Sequence, residues 1–145
     1  MCIRDRFIFF TNKNSDKAKD LKENPLCTLL FSWIDLHRQV IIKGKASEIS
    51  EEDSQSYFKT RPYGSQISAW VSNQSEVISS RQFLEDKVKD FMDKYPTEVP
   101  MPNHWGGYLV SVNSMEFWQG RPSRLHDRIR YTRNNSGWVI ERISP

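Results

Sequence analysis

The sequence predicts an α+β domain in which antiparallel hairpins form a curled sheet or barrel with helices inserted between the strands. Three observations carry this. Short β-prone runs are separated by turn-length polar segments, Ser-led segments with helical periodicity interrupt them, and the chain closes on a hairpin with Asn134-Asn135-Ser136-Gly137 as its turn.

The first run, Phe7 to Thr11, is aromatic and β-branched and reads as a strand, followed by polar Asn12 to Asn14. Ser15 is placed to cap a helix over Asp16 to Glu23, which carries Ala18 and Leu21 three apart and is stopped by Asn24-Pro25. Leu26 to Trp33 and Gln39 to Ile49 read as an antiparallel pair joined through Ile34 to His37. Ser50-Glu51-Glu52-Asp53 has the hydroxyl and carboxylates of a helix start, and Arg61-Pro62 ends that helix. On it Tyr57 and Arg61 stand four apart, on one face, so that both can address one ligand. Ser65 is expected to cap a short helix carrying Ile67, Ala69, Trp70 and Val71, and Ser79 or Ser80 to start a longer one. There Phe83, Leu84, Val88, Phe91, Met92 and Tyr95 form one apolar stripe, the pattern of a helix packed on a sheet. After Pro96, Pro100 and Pro102, the runs Gly107 to Val112 and Met115 to Trp118 alternate as strands, as do Arg128 to Arg133 and Trp138 to Ile143.

At 145 residues the chain is the size of one domain, and 12% aromatic residues supply the core material that disordered chains lack. No apolar run reaches the roughly 20 residues of a membrane-spanning helix, and the opening residues lack the apolar segment of a signal peptide, so a soluble, cytoplasmic protein without a membrane partner is expected. Two cysteines make no disulfide framework, and His37, His104 and His126 are too scattered for a metal set, so no metal is expected. No glycine-rich phosphate loop and no nucleophile elbow is present. The net charge of +3 suits anionic small molecules and nucleic acid alike.

Phosphate-competent groups nevertheless gather at element ends: Thr11 and Lys17 at the first strand-to-helix turn, Arg61 and Ser65 at the second helix break, and Arg124, His126 and Arg128 in the last loop. A phosphate monoester carries about −1.5 to −2 charges and three acceptor oxygens, which Arg, Lys, hydroxyls and helix N-termini match. Such groups are more often plain solvated charge, and spacing alone does not separate the two uses. In extended chain Arg124, His126 and Arg128 fall on one side, while pairing of Asp127 with a neighbouring Arg is the simpler account of that cluster.

Across the chain, Phe10-Thr11-Asn12 with Ser15 and Lys17, Arg38-Gln39-Val40, Tyr57-Phe58 with Arg61-Pro62 and Ser65-Gln66, Ala69-Trp70-Val71-Ser72 with Gln74-Ser75, Trp105-Gly106-Gly107, Glu116-Phe117-Trp118-Gln119-Gly120 and Arg124-Leu125-His126-Asp127-Arg128 resemble the pyridoxamine 5'-phosphate oxidase family. The resemblance runs from about Phe9 to Pro145 and implies an FMN-binding split β-barrel, one domain over residues 1–145 with 1–6 outside the family fold. It implies a homodimer with FMN at the interface. The reaction implied is oxidation of pyridoxine or pyridoxamine 5'-phosphate to pyridoxal 5'-phosphate, with O2 reoxidising the flavin to give H2O2. By the same resemblance Phe10 (through its backbone), Thr11, Lys17, Gln39, Gln74, Ser75, Trp118 and Arg128 hold FMN. Tyr57, Arg61 and Ser65 hold the substrate phosphate, and Arg124 and His126 close over the substrate ring as the catalytic pair.

The departures are Asp16 where the family carries Arg, Phe10 in place of Tyr, and no counterpart of an upstream strand bearing an Arg and a Lys, so that the chain reads as truncated at its front. An FMN- or pyridoxal-phosphate-binding module without oxidase activity is the alternative those departures suggest. Single-stranded nucleic-acid binding through Trp118, Tyr131 and the Arg-rich hairpin is disfavoured by the modest net charge and the acidic turn after Ser50.

Overall fold

The computed structural model describes residues 6–145. Its elements run β1 (Arg6–Asn12), α1 (Asp16–Glu23), β2 (Leu26–Trp33), β3 (Arg38–Glu48), α2 (Glu51–Thr60), α3 (Tyr63–Val71), α4 (Arg81–Lys94), β4 (Trp105–Gln119), β5 (Asp127–Asn134) and β6 (Gly137–Arg142). The strands form one antiparallel sheet in the order β2-β3-β4-β5-β6, with β1 paired to β4, and the sheet is not closed. Of the expectation that residues 1–6 stand outside the fold, residues 1–5 lie outside the described residues, and Arg6 opens β1. No described helix is long and apolar enough to cross a membrane.

The described residues divide into two compact units. One comprises residues 6–7, 25–47 and 110–145. Here β2 pairs β3 with Leu29 opposite Ile42 and Cys27 opposite Gly44, and the connection is a single 3-10 turn, Ile34–Leu36, closed by His37 in the left-handed region at φ 49°. Ile42, Ala46, Val110 and Val112 are its buried apolar residues. Gly44 lies so close to the neighbouring strand that a Cβ would run into the Ser111 carbonyl and the Val110 side chain. The last two strands pair from Ile129 opposite Arg142 to Asn134 opposite Gly137, whose φ of 138° supplies the turn that only glycine adopts readily.

The other unit comprises residues 8–24 and 48–109. Its core is Phe58, Ile67, Val71, Val99 and Trp105, with Leu84, Val88, Phe91 and Tyr95 of α4 packed on it. Trp105 is central. Phe58 meets it edge-on at 5.0 Å between ring centroids, and Phe10 stacks on it at 5.1 Å.

Several local expectations are corrected. Ser15 occupies the N-cap of α1 but its hydroxyl donates to the Asn12 carbonyl at 2.7 Å instead of accepting from the helix. The caps at Ser50 and Ser80 do form, accepting from the Asp53 and Phe83 amides at 3.0 and 3.1 Å. Pro62, not Ser65, is the N-cap of α3, and Ser65 sits in its first turn. The α4 stripe docks on a helix: Trp70 of α3 lies 5.8 Å from Phe91 and 5.5 Å from Tyr95, while Phe83 and Met92 remain exposed. The two runs expected around Val112 and Met115 are one strand of 15 residues.

Gly44→Ala is expected to lower stability by about 1–3 kcal/mol, because the methyl meets backbone that cannot rotate away. Urea unfolding measures this; an unchanged midpoint contradicts the close approach.

Candidate functional site

Four groups come together where β1 ends and α1 begins. The β-branched end of β1 places Thr11 one turn before the helix, and Lys17 in the first turn of α1 reaches back to it, Nζ donating to Thr11 Oγ1 at 2.6 Å. Thr11 in turn donates to Gln74 Oε1 at 2.8 Å, and the Asn12 amide donates to the same oxygen at 3.3 Å. Ser75, held at φ 76°, accepts the Asp16 amide on its Oγ at 3.2 Å. A non-glycine residue in that region is strained, and the loop orders it by tying it to the N-terminus of α1.

The chemistry of this set fits a phosphate. Thr11 spends its proton on Gln74, Lys17 uses one of its three N–H donors within the cradle, and the amide end of Gln74 adds two more. Asp16 stands beside it, but its carboxylate is directed to Lys19 at 3.2 Å, with both side chains largely exposed.

A second set surrounds Trp105. Tyr57, near the end of α2, stacks on Phe10 with 3.9 Å between centroids and 13° between planes. Arg61 lies beyond the last residue of α2 at φ −73°, ψ 147°, so helical spacing to Tyr57 is not what aims it. Instead its guanidinium covers Trp105 at 4.9 Å and Phe58 at 5.7 Å. Burial lowers its pKa, with Tyr57 acting in the opposite sense, and its Nη1 is buried without a hydrogen-bond partner among the described residues. A buried charged donor left without an acceptor is costly, and a ligand oxygen is what relieves it. Ser65 stands in the first turn of α3, its amide donating to the Pro62 carbonyl at 2.8 Å.

A third set belongs to the other unit. Trp118 and Arg128 face each other across β4 and β5, and His126 lies against Trp118 at 4.8 Å. Arg128 is held by both oxygens of Glu116, at 2.6 and 3.1 Å, and donates to the Ser144 carbonyl; the Glu116 hydrogen bond raises its pKa. Gln39 lies on β3 opposite Ser32. Arg124 follows Ser123, and both are left-handed, at φ 61° and 57°. The loop is therefore not extended, and simple alternation does not bring Arg124, His126 and Arg128 to one side. Asp127 pairs with Arg121 and Arg142, whose hydrogen bonds, Arg121 first, lower its pKa; it pairs with neither Arg124 nor Arg128.

Sequence reasoning passed over Trp105, Asn12 and Glu116 as site residues. Trp105 stood in a noted Trp-Gly-Gly run whose brevity hid its central place, and Asn12 carries the Asn14 amide on Oδ1 at 2.8 Å. The Glu116–Arg128 pair spans two strands and becomes visible only with the register.

Comparison with known proteins identifies the family of the chain. The family model described as pyridoxamine 5'-phosphate oxidase matches residues 2–94, and that of the pyridoxine 5'-phosphate oxidase C-terminal dimerisation region matches 105–145. A pyridoxine/pyridoxamine 5'-phosphate oxidase of Hydrogenovibrio crunogenus is 53% identical over 142 residues, covering 97% of this chain and 67% of its own. PhzG from Burkholderia lata 383, solved with tetrahydrophenazine-1-carboxylic acid, superposes with a TM-score of 0.87 at 27% identity, over 95% of this chain and 68% of that one. A pyridoxamine 5'-phosphate oxidase-related, FMN-binding protein of Nostoc punctiforme shares the fold at a TM-score of 0.73 and 16% identity, over 97% and 73% of the two chains. The chain spans about two thirds of the length of the curated relatives it matches. Matched by these models over most of its length, the chain belongs to the pyridoxamine 5'-phosphate oxidase family.

Proposed function

We propose that this chain is an FMN-dependent oxidase converting pyridoxine or pyridoxamine 5'-phosphate to pyridoxal 5'-phosphate, acting in the cytoplasm as a homodimer with FMN at its interface. In the balanced reaction the alcohol plus O2 gives aldehyde plus H2O2, and the amine plus O2 and water gives aldehyde, ammonia and H2O2. The observation that carries the reading is Arg61 Nη1, a buried cationic donor without an acceptor among the described residues, over an aromatic floor. A phosphate ester supplies both the charge and the oxygen it lacks.

FMN, when bound, supplies the two-electron acceptor. Lys17, Thr11, Gln74 and Ser75 with the α1 N-terminus hold its phosphate, and the backbone of Phe10 lies beside them; Gln39, Trp118 and Arg128 hold the rest of the nucleotide. Arg61, Tyr57 and Ser65 grip the substrate phosphate, so that binding energy from a non-reacting group orients the ring. Arg124 and His126 cover the ring and direct hydrogen bonds to it. Dimer formation is supported by apolar side chains left exposed on one unit, among them Leu30, Phe31, Trp33, Ile34 and Leu36.

A second reading, a module that binds FMN or pyridoxal phosphate without turnover, is favoured by one feature: an acidic residue, Asp16, in the first turn of α1, whose backbone amide joins the cradle while its carboxylate pairs with Lys19. Peroxide release from FMN-loaded protein given pyridoxamine 5'-phosphate separates the two, since sustained release excludes the module.

Three outcomes are expected. Flavin-fluorescence titration should show FMN binding tighter than riboflavin, and Lys17→Ala should weaken FMN about tenfold to a hundredfold while sparing riboflavin, the worth of one charge-assisted hydrogen bond; equal loss for both contradicts the phosphate cradle. Asp16→Asn should tighten FMN severalfold and leave riboflavin alone, because a like charge leaves the site; weaker FMN binding contradicts that placement. Arg61→Lys should raise KM for pyridoxamine 5'-phosphate about tenfold or more with a smaller change in kcat, since one ammonium does not reproduce the planar fork. An unchanged KM removes Arg61 from the substrate site.

A further inference from the structure

The surroundings of His126 define which of its ring nitrogens can act. Its Nδ1 accepts the backbone N–H of Arg121 at 3.1 Å. A nitrogen that accepts carries no proton, so the neutral ring bears its hydrogen on Nε2. The ring lies against Trp118 and lines a cleft of about 350 Å³ with His37, Gly120, Arg121 and Pro122.

The Arg121 amide is itself held in place. Its side chain donates Nε to Asp127 Oδ2 at 2.7 Å, and the other oxygen of Asp127 takes Nη1 of Arg142 on β6. Immediately before it, the Gly120 amide donates to the His37 carbonyl at 2.7 Å, and Gln119 receives Nε of Arg38 while donating to the Leu36 and His37 carbonyls. A Cβ on Gly120 would crowd His37 and Trp118, so the turn runs flush against its neighbours. Asp127 is next in sequence to His126, yet its oxygens point to Arg121 and Arg142 and not to the ring.

We propose that Asp127 is a positioning residue for His126: by clamping Arg121 and Arg142 it keeps the Arg121 amide on Nδ1 and so presents Nε2–H to the substrate as a hydrogen-bond donor. This rests on the proposed oxidase reading for what is bound, but not for the clamp. In this arrangement His126 orients an acceptor oxygen of the substrate and accepts no proton through Nδ1. No bond of the substrate is broken by it.

Long-range proton–nitrogen correlation spectra of the full chain labelled with 15N-histidine test this directly. The chain has three histidines, and His126→Gln assigns the signal of interest. The wild type should show Nδ1 as an unprotonated, pyridine-type nitrogen and Nε2 as the protonated one. Asp127→Asn and, independently, Arg121→Ala should move His126 towards the mixed tautomers of a free imidazole. In FMN-loaded protein both should lower kcat for pyridoxamine 5'-phosphate about tenfold with little change in KM or flavin content. A protonated Nδ1 in the wild type, or a tautomer indifferent to both variants, overturns the proposal. Tautomer shifts as expected in a protein that releases no peroxide sustain the clamp and overturn the oxidase reading instead.

Discussion

One contact organises the aromatic unit of this protein: a half-buried guanidinium over the face of Trp105, with its Nη1 buried and unpaired among the described residues. The indole and Phe58 return part of the desolvation cost through cation–π attraction, of about 0.5–2 kcal/mol per contact. They cannot return the missing hydrogen bond, because an aromatic face offers no lone pair in the plane of the guanidinium. The unit therefore holds a half-buried cation with one donor left open among the described residues. Much of what surrounds it serves to keep that arrangement rigid: Phe10 stacked on one side, Phe58 at the edge, and Tyr57 lying over Phe10.

The other cations of the candidate site are treated differently. Arg128 is satisfied by both oxygens of Glu116 and by the Ser144 carbonyl, so its charge is spoken for and its guanidinium plane is fixed. Lys17 keeps spare donors, but Thr11 sets its direction. Asp127 gathers Arg121 and Arg142 and through them holds a turn. Pairing thus fixes orientation at Arg128, Lys17 and Asp127, whereas Arg61 Nη1 keeps an open valence among the described residues, the feature on which the proposed ester site rests.

Much of the element order was legible because its signals are local. Ser50 and Ser80 cap their helices as hydroxyls before amides do, α1 begins and ends where Ser15 and Asn24-Pro25 place it, and Gly137 closes the last hairpin. The misses have physical causes. Ser15 found a nearer acceptor in the Asn12 carbonyl, and Pro62, with its fixed φ, took the cap expected of Ser65. The α4 stripe could not say whether a sheet or a helix would cover it. Alternation of Arg124, His126 and Arg128 presumed extended chain, which two consecutive left-handed residues, Ser123 and Arg124, break. Partners such as Glu116 for Arg128, or Gln74 for Thr11, lie 12 and 63 residues away, beyond any local pattern.

The most direct test is a crystal structure of the full chain grown with FMN and pyridoxal 5'-phosphate. The account predicts the phosphate of pyridoxal 5'-phosphate within hydrogen-bond distance of Arg61 Nη1, with the guanidinium still over Trp105. Pyridoxal 5'-phosphate bound elsewhere, with that nitrogen still bare, would contradict it.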